Sequence, residues 1–264
     1  MDFSKVIKIV ESSIFKTQLT YVLNIIISLL FIAVQGITLP NLAIVLSLFF
    51  MMNCLGITVT YHRYWTHGSF AFKYKWLEKL CTLCGILSGS GSSIGWVNIH
   101  RQHHAHSDTE LDPHSAEKGF FKKFKYHILM PHQLLKLDYN PKSGPRYVRR
   151  LLRNKFLVKT HQLYYLIIMA YCLFLSLAFG LSGLILGFCM PSALTMVAQI
   201  LTNLVNHKNK NTYEPANVWW MNILSFGDGW HKNHHDDQSN YTTKTKWFEL
   251  DISGLVIKHC LRKA

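Results

Sequence analysis

The sequence predicts an all-α integral membrane protein, with four transmembrane helices in two hairpins and a helical cap gathered on one side. Three observations carry that reading. Apolar residues fill 49% of the 264 positions and charged residues 16%, against roughly 25% charged in soluble domains. Four stretches carry no Asp, Glu, Lys or Arg: Leu19–Ile37, Leu42–Thr60, Leu163–Phe179 and Leu184–Leu201. The turns inside the two pairs, Gly36–Asn41 and Gly180–Gly183, also hold no Lys or Arg, although the net charge is +14.

Each run rises about 1.5 Å per residue, enough to approach the roughly 30 Å of a hydrocarbon core. Pro40-Asn41 makes a tight turn in the first hairpin, and Pro191 kinks the fourth helix, which membranes tolerate. Cations occupy the N-terminus, the long middle segment and the C-terminal segment. By the positive-inside rule these face the cytoplasm, so both termini and the cap, residues 61–162 and 202–264, are cytoplasmic in a single domain over 1–264. Basic residues between apolar blocks suit anionic headgroups rather than nucleic acid. An acidic redox partner or a phosphate-bearing substrate would use the same charge. Phe120, Phe121, Phe124 and Tyr126 interleave with lysines, a membrane-interface composition. The six cysteines form no disulfide pattern and imply a reducing face, with Cys81-x-x-Cys84 on an apolar helix face. No cleavable signal peptide is expected.

Leu77–Val97 could be drawn as a further span. That would separate His62 and His67 from His100–His104 across the membrane. An amphipathic, interfacial or re-entrant segment keeps them together.

Three histidine boxes then share the cap: His62-x4-His67, His100-x2-His103-His104 and His231-x2-His234-His235. His207 stands just past the fourth span, with Asn203 four residues earlier on the same helix face. An i, i+3, i+4 set projects its imidazoles from one side of a helix. A packed core has no use for this density of imidazole, whereas neutral imidazole is the commonest metal ligand. Eight or nine of them exceed one coordination sphere, so two metals are implied. Imidazole suits Zn, Cu, Fe and Ni, and no cysteine is placed as a ligand. Beside a lipid phase the set suits iron that activates oxygen against an unreactive C–H bond, a task closed to redox-inert zinc. Asp108, Glu110, Asp112, Asp228, Asp236 and Asp237 flank the boxes, either orienting ring N–H groups or serving as surface charge.

HRYWTH (62–67), HRQHH with SDTELDPHS (100–115), NLVNH (203–207), FGDGWHKNHH (226–235) and KWFELD (246–251) resemble the membrane fatty-acid desaturases of the stearoyl-CoA (delta-9) type, in a bacterial-like short form. The resemblance implies two Fe ions ligated by His62, His67, His100, His103, His104, His207, His231, His234 and His235, and a metal-bound water held by Asn203. It also implies O2 as co-substrate and a saturated fatty acyl substrate on CoA or on a lipid. Asn98-Ile99 departs from the Arg-Asp of the animal acyl-CoA enzymes, and Gly68 stands where bacterial relatives often have Arg. No His-Pro-Gly-Gly haem motif occurs, so electrons are expected from a separate ferredoxin, cytochrome or flavoprotein.

The expected reaction is oxygen-dependent desaturation in an apolar tunnel. Stepping back from His62 by helical turns gives Thr58, Cys54 and Phe50 as its wall. A di-iron hydroxylase or alkane monooxygenase is the alternative enzyme. A His-rich metal transporter is disfavoured, because the four runs hold no ionisable pathway residue.

Overall fold

A computed structural model describes residues 19–107, 109, 111–112, 146–207 and 214–263. Its named elements are all helical, and pairing among the described residues is limited to two isolated bridges. The expected roles of Asp108, Glu110 and the Phe120–Tyr126 interface cluster lie outside the described residues.

Helix α1 (Leu19–Gln35) ends at Gly36, whose φ of +68° suits glycine at a helix end. Thr38 then caps α2 (Leu39–Phe49), its Oγ1 accepting from the Asn41 N–H, with Pro40 in the first turn where no intrahelical N–H is needed. Without a break α2 passes into a π-helix, Phe50–Thr66. Within the continuous rod Leu39–Thr66 an 18-residue stretch reaches mean hydropathy 2.3.

Helix α3 (Lys75–Leu87) packs along the π-helix, burying Cys81, Cys84 and Ile86. The loop 88–92 follows, and α4 (Ser93–His106) is capped by Ser92. Tyr61 donates to the Gly91 carbonyl, Tyr164 accepts from the Gly91 N–H, Ser192 donates to the Ser88 carbonyl, and Gln199 donates to Ser90. Polar backbone among apolar helices is stable only with such partners. The turn also brings the His100 ring to 4.6 Å from His62.

Helix α5 (Lys155–Gln162) leads to α6 (Tyr164–Leu184), interrupted at Gly180 with φ +66° and ψ −165°. The chain reverses there. Leu175 packs with Phe188 and Cys189, and Tyr171 donates to the Gly187 carbonyl. A short π-turn (Ile185–Cys189) and α7 (Met190–Val205) complete the second apolar rod, Tyr164–Val205, in which an 18-residue stretch reaches mean hydropathy 2.2. The break is one residue, shorter than the expected Gly180–Gly183 turn, because only Gly180 leaves helical geometry. Leu29 and Val34 on α1 and Leu173, Leu177 and Leu181 on α6 stand exposed, an apolar surface of the kind that faces lipid.

Three short helices follow α7: α8 (Met221–Ser225), α9 (His231–Asp236) and α10 (Ile252–Val256), the last running into a π-turn, Ile257–Leu261. The final segment pairs back on residues 71–73, through the Lys73 N–H to the Leu261 carbonyl and the Lys263 N–H to the Ala71 carbonyl.

Candidate metal centre

All nine expected histidines converge, and they do so as two groups. His62, His67, His100, His104 and His234 form one; His103, His207, His231 and His235 form the other. In each group the potential ligand atoms lie within 4.8 Å of one another. The groups abut, with the His104 and His235 rings 4.6 Å apart.

The boxes do not map onto the groups. The i, i+4 pair of the second box, His100 and His104, enters the first group, while His103 enters the second. The third box divides the other way: His231 and His235 join the second group and His234 the first. Residues four apart on an α-helix lie nearly over one another, and a residue three along leans to the other side. His62 and His67 are five apart, which an α-helix would splay. The π-helix joins residue i to i+5, as in the bond from the His67 N–H to the His62 carbonyl at 3.2 Å, and so sets both rings on one side.

The nitrogen separations fit bound metal. Nε2 atoms stand 2.9 Å apart for His62 and His234, 3.0 Å for His100 and His104, 2.8 Å for His207 and His231, 3.2 Å for His231 and His235, and 3.4 Å for His104 and His234. Two nitrogens each about 2.1 Å from one ion stand about 3.0 Å apart at a right angle and about 3.4 Å at a tetrahedral one. Hydrogen bonding alone does not explain the contacts. His231 Nε2 faces two other Nε2 atoms, yet one ring nitrogen offers a single proton or a single lone pair. His67 Nε2 is buried without a hydrogen-bond partner among the described residues.

Carboxylates fix the rings from behind. His62 Nδ1 meets Asp228 Oδ2 at 3.0 Å, and His103 Nδ1 meets both Asp112 oxygens at 2.9 Å. An ionised carboxylate accepts only, so each Nδ1 carries the proton and each Nε2 keeps its lone pair. Of the other flanking acids, Asp236 pairs with Lys232 and Asp237 holds Ser239, both at the surface. Burial pushes the imidazoles of His67 and His235 down to about 2, reinforced by His62 for the former and His207 for the latter. Burial first, then neighbouring imidazoles, lowers His100, His104, His231 and His234 as well. These six rings are therefore neutral at physiological pH, the form that binds metal.

Asn203 lies one turn before His207 on α7 and lines a cavity with Asn53, Ile57, Thr58, Trp96, Gln199 and Thr202, next to His62, His100 and His231. Of the three expected wall residues, Thr58 lines this cavity. Phe50 instead packs edge-on against Phe226, 5.4 Å between centroids, and Cys54 Sγ contacts Ser253 Oγ at 3.3 Å. Along the π-helix the cavity side recurs at 53, 57, 58 and 62, so the four-residue step drifts away from it.

Sequence reasoning missed several supports. Trp96 stacks on His100 at 4.6 Å and 29°, and its indole N–H donates to Gln199. The six-residue α9 is held by Asn217, whose Oδ1 accepts from the Lys232 N–H, and by Glu249, which accepts from Asn233. The glutamate of KWFELD was visible, but its partner lies 16 residues away.

A model of the fatty acid desaturase family matches residues 38–250. The chain is 32% identical to Delta-9 acyl-lipid desaturase 1 of Arabidopsis thaliana over 224 residues, 84% of this chain and 72% of that protein. It is 34% identical over 230 residues to the sn-1 stearoyl-lipid 9-desaturase of Anabaena variabilis, 81% of this chain and 78% of the relative. A palmitoyl-monogalactosyldiacylglycerol delta-7 desaturase of Arabidopsis thaliana is 30% identical over 225 residues, 82% and 58% respectively. The matched span contains all nine converging histidines, and the chain belongs to the fatty acid desaturase family, whose members are oxidoreductases that desaturate acyl chains.

Proposed function

We propose that the protein introduces a double bond, in the delta-9 manner, into a saturated acyl chain carried on a membrane lipid, at a di-iron centre held by the nine histidines. The carrying observation is their division into groups of five and four. Bound there, two irons would supply the activation of O2 that removal of two unactivated hydrogens requires. Asn203, one turn from His207, would hold a water beside the four-histidine group, which has one imidazole fewer.

The chain's own residues orient and exclude. Asp228 and Asp112 fix ring tautomers, and Trp96 braces His100. The polar side chains along the cavity are turned onto protein partners: Thr58 donates to the Ser225 carbonyl, Thr202 to the Ala198 carbonyl and Asn53 to the Leu224 carbonyl. The walls thus offer an acyl chain mainly their carbon faces and give water few places to bind. Asn53, Ile57 and Thr58 are proposed to limit how far the chain extends, in place of Phe50 and Cys54.

The names of the relatives support a lipid-linked acyl group, as does the Asn98-Ile99 departure from the acyl-CoA pattern. The proposed topology has four spans, with both termini and the metal centre on the cytoplasmic side. Exposed Trp76, Trp219 and Trp247 suit seating of the cap in the interface. Electrons would come from a separate ferredoxin, cytochrome or flavoprotein docking on the basic cap.

Expression in a host lacking its own desaturase, followed by mass spectrometry of its lipids, tests this reading. Monounsaturated acyl chains with the bond at carbon 9 are expected. Hydroxylated chains would move the assignment to a monooxygenase, and unchanged saturated lipids in a host with a competent electron donor would refute it.

A further inference from the structure

A buried cation stands directly beside the first histidine. Arg63 follows His62 and is 1% exposed. Its Nη2 donates to Asp228 Oδ1 at 2.9 Å, and its Nη1 donates to Asp251 Oδ2 at 2.8 Å and to the Tyr241 carbonyl at 2.9 Å. The other Asp228 oxygen faces His62 Nδ1. Asp251 is itself pinned: Oδ2 accepts from the Thr243 N–H and the Thr242 hydroxyl, and Oδ1 accepts from the Gly254 N–H at the start of α10. An unbroken chain of charged contacts therefore runs Asp251–Arg63–Asp228–His62 and ends at an Nε2 in the five-histidine group.

As mere packing this arrangement is expensive. Taking three charges out of water often stabilises a fold no better than apolar residues of the same volume. What apolar residues cannot do is hold a carboxylate in one orientation. A guanidinium fork, gripping one carboxylate with each arm, does so. Asp228 fixed in this way keeps the proton on His62 Nδ1.

We infer that Arg63 and Asp251 are positioning residues for His62, through which the C-terminal segment beyond the third histidine box governs how firmly one of the two irons is held. The inference rests on the di-iron reading above. The four-histidine group has its own carboxylate, Asp112 on His103, outside this chain of contacts.

The test is iron release from purified, full-length protein challenged with a ferrous chelator, with iron per chain and monodispersity measured alongside. Asp251→Asn keeps the shape and weakens the grip on Arg63. Arg63→Lys keeps the charge, but a single ammonium cannot fork between both carboxylates. In both variants one iron should leave about 10–100-fold faster, the usual effect of losing an outer partner of a ligand, while the other leaves at the wild-type rate. Two irons leaving at wild-type rates, or both accelerating equally, would overturn the inference. If Asp251→Asn fails to fold, Arg63→Lys alone decides by the same criteria. Wild-type protein that holds no iron would instead refute the di-iron reading, a result separable from a failure of the relay.

Discussion

The two histidine groups sit side by side but are built differently. The five-histidine group takes His62 from the π-helix and His67 from the residue that caps its end, His100 and His104 from α4, and His234 from α9. Its first histidine, His62, is reached through a charged chain that begins near the C-terminus. The four-histidine group takes one residue from α4, two from α9, and His207 from just past α7. Its carboxylate is local, Asp112 nine residues from His103. One group thus depends on unusual backbone winding and long-range charge, and the other on ordinary helical spacing. The difference sets what each should tolerate.

The largest effect is expected from the four-histidine group. His103→Ala removes a fully buried ring and leaves the Asp112 carboxylate without it. Product formation should fall below detection, and bound iron should drop, measured by lipid analysis and elemental analysis on the same preparation. Retention of both would exclude His103 as a ligand. Asn203→Ala should cost less, lowering product formation about 10–100-fold while iron per chain stays near wild type. Loss of iron as well would make Asn203 a structural support.

Acidification should strike both groups. Unfolded histidine titrates near 6.5, whereas His67 and His235 are held down to about 2 in the fold. Between those values the unfolded chain binds more protons, so stability is full above about pH 6.5 and is lost progressively as pH falls toward the folded values. The thermal midpoint of the metal-free protein should therefore be flat from pH 8 to 7 and fall by several degrees by pH 5. A midpoint that rises on acidification would contradict the neutral cluster. The smallest effect concerns the cavity. Thr58→Leu should shift products toward shorter acyl chains without lowering total turnover by more than a few-fold, while Phe50→Ala should leave the profile unchanged. The reverse pattern would return the wall to the face that α-helical counting selects.

Much of this was legible in the sequence. The uncharged runs marked the apolar rods, Gly180 marked the reversal of the second, and the His-x2-His-His spacing put three ligand candidates on one helix side twice over. The division into five and four was not legible, because a box shows which residues share a helix but not which neighbour each one leans toward. The π-winding of Phe50–Thr66 was hidden too. Its hydrogen-bond register is set by packing rather than by residue type, so α-helical counting selects Phe50 and Cys54 for the cavity and passes over Ile57. Arg63 lay in plain view inside HRYWTH. Its role was invisible because Asp251 is 188 residues away.

The proposed chemistry needs two neighbouring metal sites made by nine imidazoles. The most direct test is the metal content of the purified wild-type chain, counted per folded polypeptide and identified by element. Two irons per chain are predicted. One metal, none, or two zinc ions in place of iron would contradict the account.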